Sequence, residues 1–257
     1  MKLTFLGTGS SQGIPVIGCK CSVCTSRDIH DNRLRTSAMI DVDQKTFVID
    51  TGPDFRQQML RAKPDMVDAV IFTHEHKDHI AGMDDIRPFN YQSGKPLNVY
   101  ASDQVQEALK REYHYVFNHL KYPGVPEVNL HKISGNKNFE IEGTKIIPIE
   151  VLHYKLPVLG FRIKDMAYIT DANFISEKEK EKLQNLDVLV LNALRKQKHI
   201  SHFNLEEAIA LSQELKAKRT YFTHISHLMG THAEVSKELP PNVFIAYDGL
   251  EVEIPDA

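Results

Sequence analysis

The sequence predicts a layered α/β fold in which two β-sheets carry helices on their outer faces and bring polar residues to one shared rim. Three observations lead there. Short runs rich in β-branched and aromatic residues alternate with stretches of helical periodicity along the whole chain. Several of these runs end in residues of the type that bind metals. The endings also echo one another: Phe72-Thr73-His74 with Phe222-Thr223-His224, and Val48-Ile49-Asp50-Thr51-Gly52-Pro53-Asp54-Phe55 with Tyr168-Ile169-Thr170-Asp171-Ala172-Asn173-Phe174. Two similar halves, each a sheet flanked by helices, would bring such ends together, and strand ends are where layered α/β proteins place their sites.

Taken in order, Lys2–Leu6, Ser37–Val42 and Thr46–Ile49 read as strands with turn residues between them. Phe55–Arg61 has helical spacing after Pro53-Asp54. Ala69–Phe72 is a short apolar strand, Leu97–Ala101 another, and Gln104–Arg111 a helix. Tyr113–Pro126 is aromatic and reads as an excursion from the core. Phe139–Ile141, Lys145–Leu152, Leu159–Ile163, Met166–Thr170 and Asp187–Leu191 are strands. Leu205–Leu215 is an amphipathic helix, Thr220–Thr223 a strand, and Val243–Ala246 and Leu250–Ile254 close the chain. No low-complexity segment or linker interrupts residues 1–257, which fit one domain.

Composition excludes several classes. The chain is 42% hydrophobic and 25% charged, as ordinary globular proteins are. A net charge of −3 gives no support for broad attraction to nucleic acid or membranes. The apolar start is too short for a signal peptide and is broken by Gly7-Thr8-Gly9-Ser10; no run is long enough to span a bilayer. The expected location is the cytoplasm. All three cysteines lie in Cys19-Lys20-Cys21-Ser22-Val23-Cys24. An odd, clustered set suits reduced thiols on a metal better than a disulfide framework.

The densest chemistry is in Phe72-Thr73-His74-Glu75-His76-Lys77-Asp78-His79-Ile80-Ala81-Gly82. Imidazole nitrogens and carboxylate oxygens suit zinc, iron or manganese. In an extended turn His74 and His76 share a face. Asp78 and His79 fall beyond the bend and can serve a second ion.

This His-x-His-x-Asp-His loop after a short strand resembles the metallo-β-lactamase superfamily. The superfamily's further features come in order: His153 in "VLHYKLPVLGF", Asp171 in "AYITDANF", His224 in "TYFTHISH", and an early aspartate before glycine, Asp50, in "VIDTGPDF". The resemblance covers nearly the whole chain and implies an αββα sandwich. It implies that His74, His76 and His153 hold one divalent metal, that Asp78, His79 and His224 hold another, and that Asp171 bridges them. Zinc and manganese both fit such a set.

Structural zinc needs four ligands, so Cys19, Cys21 and Cys24 require a fourth. His227, three residues beyond His224, is the best candidate and would tie a zinc-binding N-terminal loop at 18–24 to the rim of the site. The cysteine cluster narrows the resemblance. Together with the histidine loop and Thr223-His224-Ile225-Ser226-His227, it is similar to the phosphoribosyl 1,2-cyclic phosphate phosphodiesterase of the carbon–phosphorus lyase pathway. Enzymes of that type also accept 2′,3′-cyclic nucleotides. A similar cluster occurs in the pyrroloquinoline quinone biosynthesis B proteins.

The resemblance implies hydrolysis of a small cyclic phosphodiester by a hydroxide shared between two metals. The leaving alkoxide needs a proton, and His202 is assigned as its donor, with His199 as second choice. Arg33, Arg35 and Arg195 are further candidates to meet phosphate, and Tyr113, Tyr115 and Phe117 to cap a base or sugar. The loop Gly7–Gly13 reads first as a tight turn. Three other readings stay open: an RNA-processing nuclease of the tRNA 3′-end type, disfavoured by the acidic balance and the lack of a basic arm; a hydrolase of lactones, thioesters or β-lactams; and a non-enzymatic metal protein of the quinone-biosynthesis type. The expected partners are a small phosphodiester, no membrane and, by resemblance, a second copy in a homodimer.

Overall fold

The computed structural model describes residues 1–118 and 122–255. The first half of the chain supplies β1 (Lys2–Gly7), β2 (Ser37–Val42), β3 (Lys45–Ile49), β4 (Ala69–Ile71), β5 (Leu97–Ala101) and β6 (Val128–Lys132). The second supplies β7 (Phe139–Ile141), β8 (Thr144–His153), β9 (Leu156–Ile163), β10 (Met166–Tyr168), β11 (Phe174–Ile175), β12 (Val188–Asn192), β13 (Arg219–Thr223) and β14 (Val243–Ile245). The last strand, β15 (Glu251–Glu253), returns to the first sheet. One sheet runs β15-β1-β2-β3-β4-β5-β6, the other β11-β8-β9-β10-β12-β13-β14 with β7 beside β8. Both are mixed, and β3-β4-β5-β6 and β10-β12-β13-β14 pair in parallel across their sheets.

The strand period of two explains the layers. Phe47, Ile49, Ala69 and Ile71 point into a core shared with Phe161, Ile163, Val188 and Val190 of the facing sheet. Their neighbours Val48 and Val70 point the other way, onto Phe55, Ile86, Phe89, Val105 and Leu109. Leu189 and Leu191 likewise turn outward onto Leu205, Ala208 and Leu211. Central strands buried on both faces read as continuous apolar runs. The outer layers are α1 (Phe55–Ala62), α2 (Lys77–Ile80), α3 (Arg87–Ser93), α4 (Asp103–Glu112) and α5 (His114–Phe117) over the first half, and α6 (Glu177–Glu181), α7 (Leu205–Leu215) and α8 (His232–Glu238) over the second. The αββα order implied by the resemblance is the order found. None of the helices among the described residues is long and apolar enough to cross a membrane.

Several elements depart from the sequence-based expectation. Strand β6 gives no clear signal in the sequence because it is an edge strand: Asn129, His131 and Lys132 are exposed and only alternate residues meet the core. Helices α2, α3, α5, α6 and α8 and strand β11 are additions to the expected set, although α8 begins with a capping box in which Thr231 and Glu234 each satisfy the other's backbone N–H. The Tyr113–Pro126 excursion is partly core: Tyr113 and Val116 are buried, and Tyr113 Oη donates to Ile80 O at 2.8 Å. Residues 119–121 of that stretch lie outside the described residues.

The join between β3 and α2 sets the position of the histidine loop. Thr51 N donates to His79 O, and Gly82 N donates to Thr51 O, each at 2.8 Å. The two backbones approach so closely that a Cβ on Gly52 would lie 2.2 Å from Asp78 O, and one on Gly82 would lie 2.1 Å from Gly52 O. Substituting Gly52→Ala is expected to cost about 2–3 kcal/mol through overpacking against backbone. Thermal denaturation should register a Tm lower by at least about 5 °C; an unchanged Tm would show that the contact relaxes freely.

Candidate metal centre

Strand ends deliver the site. Asp50 follows β3, His74 lies three residues after β4, His153 ends β8, Asp171 lies three residues after β10, and His224 follows β13. Asp50, Asp171 and His224 have left-handed backbones, with φ of 63°, 56° and 57°. Aspartate and histidine tolerate that region better than most residues with a Cβ. At Asp50 and His224 the kink comes directly after the strand. Such conformations cost about 1–3 kcal/mol each and persist where the surroundings hold them.

The histidine loop hangs on one carboxylate. Asp50 is fully buried and accepts from Thr73 N at 2.8 Å, Thr73 Oγ1 at 2.8 Å and His79 Nδ1 at 2.7 Å. Thr73 Oγ1 in turn accepts from His74 Nδ1 at 2.9 Å. Asp50 therefore fixes the tautomer of His79 directly and of His74 through Thr73, leaving Nε2 of both rings available. His153 Nδ1 donates to Ser201 O at 2.9 Å, with the same effect on that ring.

Ligand atoms of His74, His76 and His153 gather within 4.8 Å of one another, and so do those of Asp78, His79 and His224. Asp171 groups with His74 and His79 on one side and with His153 and His202 on the other. The donors are close without being hydrogen bonded. His79 Nε2 is 3.2 Å from Asp171 Oδ2 and 3.3 Å from Asp78 Oδ2, and His224 Nε2 is 3.1 Å from Asp171 Oδ1. Yet Nε2 of His74, His79 and His224 are buried with no hydrogen-bond partner. Buried polar atoms normally have one. Nitrogens and carboxylate oxygens converging in this way fit divalent cations, with ligand chemistry open to zinc or manganese. Although burial favours its neutral form, His224 and His79 hold the Asp171 carboxyl well below the usual carboxylate range.

His202 lies in the same cluster. It precedes α7, whose first turn is closed by an Asn204–Glu207 capping box, and it is buried. Its ring stacks on His224 at 4.8 Å and meets His153 edge-on at 4.5 Å. Nε2 donates to Asp171 Oδ1 at 3.1 Å. On the outer side, Nδ1 lies 3.0 Å from Ser201 Oγ and 3.2 Å from His199 Nδ1. Burial, with His224 adding to it, pushes His202 down to about 4 against the pull of Asp171. His199 is partly exposed and reaches the cluster through His202.

The cysteines form a second group. His227 Nδ1 lies 3.3 Å from Cys19 Sγ, 3.5 Å from Cys21 Sγ and 3.6 Å from Cys24 Sγ. The Cys24 N–H and His227 lower the Cys21 thiol to about 6, while burial raises Cys24 to about 11. Three sulfurs and one imidazole within this space suit a closed tetrahedral zinc site.

Other sequence candidates fall elsewhere. Arg33 is buried and donates to Thr8 Oγ1 and Ala246 O, so it braces the fold instead of meeting a phosphate. Arg35 is engaged by Asp54 at 2.9 Å, and Arg195 donates to the carbonyls of Gln197 and Lys198 in its own loop. Tyr115 donates to Asp84, and Phe117 packs with Tyr113 in the first-half core, so none of the three rings caps the site. The Gly7–Gly13 loop is structural: Gly9 N donates to Leu34 O and Ser10 N to Ile225 O. Residues that sequence reasoning overlooks include Thr73, Ser201 and Asn192. The Asn192 side chain clamps both backbone groups of Ala172, next to Asp171. Thr73 alone carries a signal, its place beside His74.

Metal retention tests both groups. Thr73→Val and Asp50→Asn should each weaken binding at the histidine cluster by about 10–100-fold in a chelator competition; affinity within twofold of the parent would contradict the orienting role. Cys21→Ser should remove about one zinc per chain by elemental analysis and leave the remaining metal in place.

Comparison with known proteins agrees with the geometry. The sequence model of a beta-lactamase superfamily domain matches residues 45–225. A crystal structure of a diphosphatase from the PhnP family is 40% identical, covers 99% of this chain and 98% of its own, and superposes with a TM-score of 0.92. Octanoyltransferase of Porphyromonas gingivalis is 40% identical over 256 residues, 99% of this chain but 52% of that protein. Ribonuclease Z of an Exiguobacterium species is 29% identical over 167 residues, 63% of this chain and 48% of its own. The chain thus spans about half the length of the curated relatives it matches. By its matched domain and its full-length likeness to the diphosphatase, the chain belongs to the metallo-β-lactamase superfamily and, within it, to the PhnP family.

Proposed function

We propose that the protein is a metal-dependent phosphodiesterase that hydrolyses a small cyclic phosphate of the phosphoribosyl 1,2-cyclic phosphate or 2′,3′-cyclic nucleotide type. The observation that carries this is His202, buried with its Nε2 3.1 Å from Asp171 Oδ1, at the point where the two donor sets meet. His74, His76 and His153 would hold one divalent cation, Asp78, His79 and His224 the other, and Asp171 both. When bound, such a pair supplies a nucleophile at neutral pH and neutralises charge on the phosphate oxygens.

The chain's own groups do the rest. Asp50, Thr73 and Ser201 keep the imidazoles of His79, His74 and His153 in one tautomer, so these three donors need no rearrangement. His202 gives its Nε2 proton to the leaving alkoxide oxygen as Nδ1 takes one up from the outer side, so the neutral ring ends in its other tautomer. Ser201 Oγ at 3.0 Å from Nδ1, with partly exposed His199 behind it, offers a path to replace that proton from the outer side. Cys19, Cys21, Cys24 and His227 would hold a structural zinc.

The likeness to ribonuclease Z keeps cleavage of an RNA 3′ end as the second reading. The octanoyltransferase likeness weighs less, because that protein is about twice as long as the matched region. Acyl transfer through an enzyme-bound intermediate also needs a nucleophile such as a thiol, and the cysteines here group with His227 instead of with His202.

Protein loaded with manganese or zinc should hydrolyse bis-p-nitrophenyl phosphate and a 2′,3′-cyclic nucleotide. His202→Ala should lower kcat by about 10²–10⁴-fold with metal content unchanged. Loss of metal from that variant would refute the proton-donor role. Faster cleavage of a tRNA precursor, or turnover of an octanoyl thioester with none of any phosphodiester, would replace the reading. No turnover of any ester by fully loaded protein would favour a metal-binding role without catalysis.

A further inference from the structure

The histidine loop has a back as well as a front. Alternate side chains of an extended chain point to opposite sides, so His74 and His76 share one face while Glu75 and Lys77 take the other. Both of the latter meet helix α4. In its first turn, Gln104 Nε2 donates to Glu75 Oε1 at 2.7 Å; at its last residue, Glu112 Oε2 accepts from Lys77 Nζ. A third tie lies just beyond, where Tyr113 Oη donates at 2.8 Å to the carbonyl of Ile80, the end of α2. The segment that carries His76, Asp78 and His79 is thus fastened to one helix and the residue that follows it, at its start, middle and end. That helix is firmly seated. Ser102 Oγ caps its first turn by accepting from Val105 N, and Val105, Ala108 and Leu109 are buried in the same core as Val70 and Phe72, on and beside the strand that delivers the loop.

His76 is the ligand that lacks any other support. Thr73, Asp50 and Ser201 anchor Nδ1 of His74, His79 and His153. His224 is buried and stacked on His202. Of the ligand imidazoles His76 alone is exposed, and its ring makes no hydrogen bond among the described residues. The ring meets His74 and His153 edge-on, with centroids 4.6 Å and 5.1 Å away. Its carbonyl accepts from His79 N and Ile80 N, which ties the backbone after it to α2 but does not reach the ring. A single exposed ion pair contributes little. Attachments on both sides of His76 to one packed helix act together, and they narrow the directions in which the loop can present that ring.

We propose that Gln104 and Glu112 are positioning residues of the metal centre: through Glu75 and Lys77 they hold His76 in the ligating direction for the cation it would share with His74 and His153. The inference rests on the metal-centre reading and is independent of which ester the protein cleaves.

The test is titration of metal-free protein with cobalt(II) against a competing chelator, read by absorption. Cobalt on thiolates shows a sulfur-to-metal charge-transfer band that cobalt on imidazole and carboxylate lacks, so the cysteine group and the histidine cluster are followed separately. The parent protein should place a pair of cobalt ions in the histidine cluster. In Gln104→Ala/Glu112→Ala one of the pair should bind about 10-fold more weakly. The other, and the thiolate-bound ion, should hold, as should the Tm of the metal-free protein. Glu112→Lys, which sets two cations against each other, should weaken the same ion, and Lys77→Glu/Glu112→Lys should restore it. Parent-like binding of both cluster ions in every variant overturns the proposal. So does weakening that the exchanged pair fails to repair, or equal weakening of both ions with a fallen Tm, since α4 would then act on the fold as a whole. A parent protein that takes up cobalt on thiolates alone would overturn the metal-centre reading and the inference with it.

Discussion

A single buried carboxylate organises the site. Asp50 has no access to solvent, and its oxygens are satisfied by Thr73 and His79 alone. An unpaired carboxylate at that depth would be costly, whereas hydrogen bonds to a charged group contribute about 1.5–3 kcal/mol each. The bonds can form only if β3 and β4 lie in register and the histidine loop folds back under Thr51. The close passage of Gly52 and Gly82 is the steric side of the same requirement. Sheet register, loop shape and imidazole orientation are thus one constraint seen at three scales.

The rim concentrates features that oppose folding: left-handed kinks at Asp50, Asp171 and His224, imidazole nitrogens without partners, and the carboxylates of Asp78 and Asp171 gathered at one nitrogen of His79. Two layers of apolar strand beneath the rim hold it together. Cations that bind the folded chain and not the unfolded one would offset this opposition, and stability would then depend on metal supply by mass action. The distribution is an ordinary one for functional sites, where local conflict is tolerated because the remainder is consistent.

Much of this is legible in the sequence, for reasons that differ by residue. The histidine loop can be read because local spacing sets which ligands share a face. Central strands can be read because burial on both sides leaves unbroken apolar runs. His227 can be reached by counting zinc's ligands. Edge strand β6 cannot, since half its residues face water. Arg33 is misjudged from sequence because burial is a property of the assembled fold: nothing local says that its guanidinium ends against Thr8 and Ala246. The paired Phe-Thr-His motifs show the limit of echoes. Thr73 joins Asp50 to His74, while Thr223 Oγ1 is buried without a partner, so identical letters serve different ends. Ser201 acts on His153 through its carbonyl, which any residue possesses and no pattern can reveal.

The position of His227 has a consequence for the chain as a whole. Cys19 and His227 are 208 residues apart in sequence and 3.3 Å apart in space. A metal held there would be a cross-link closing most of the polypeptide into a loop, and the entropy it removes from the unfolded chain grows with the length enclosed. It would fasten the first and last thirds of the protein near the place where Ile225 joins Thr8 and Ser10. A chain whose three thiols all lie in one short stretch cannot tie itself end to end with disulfides; a borrowed ion gives it the same kind of knot, one that any strong chelator can undo.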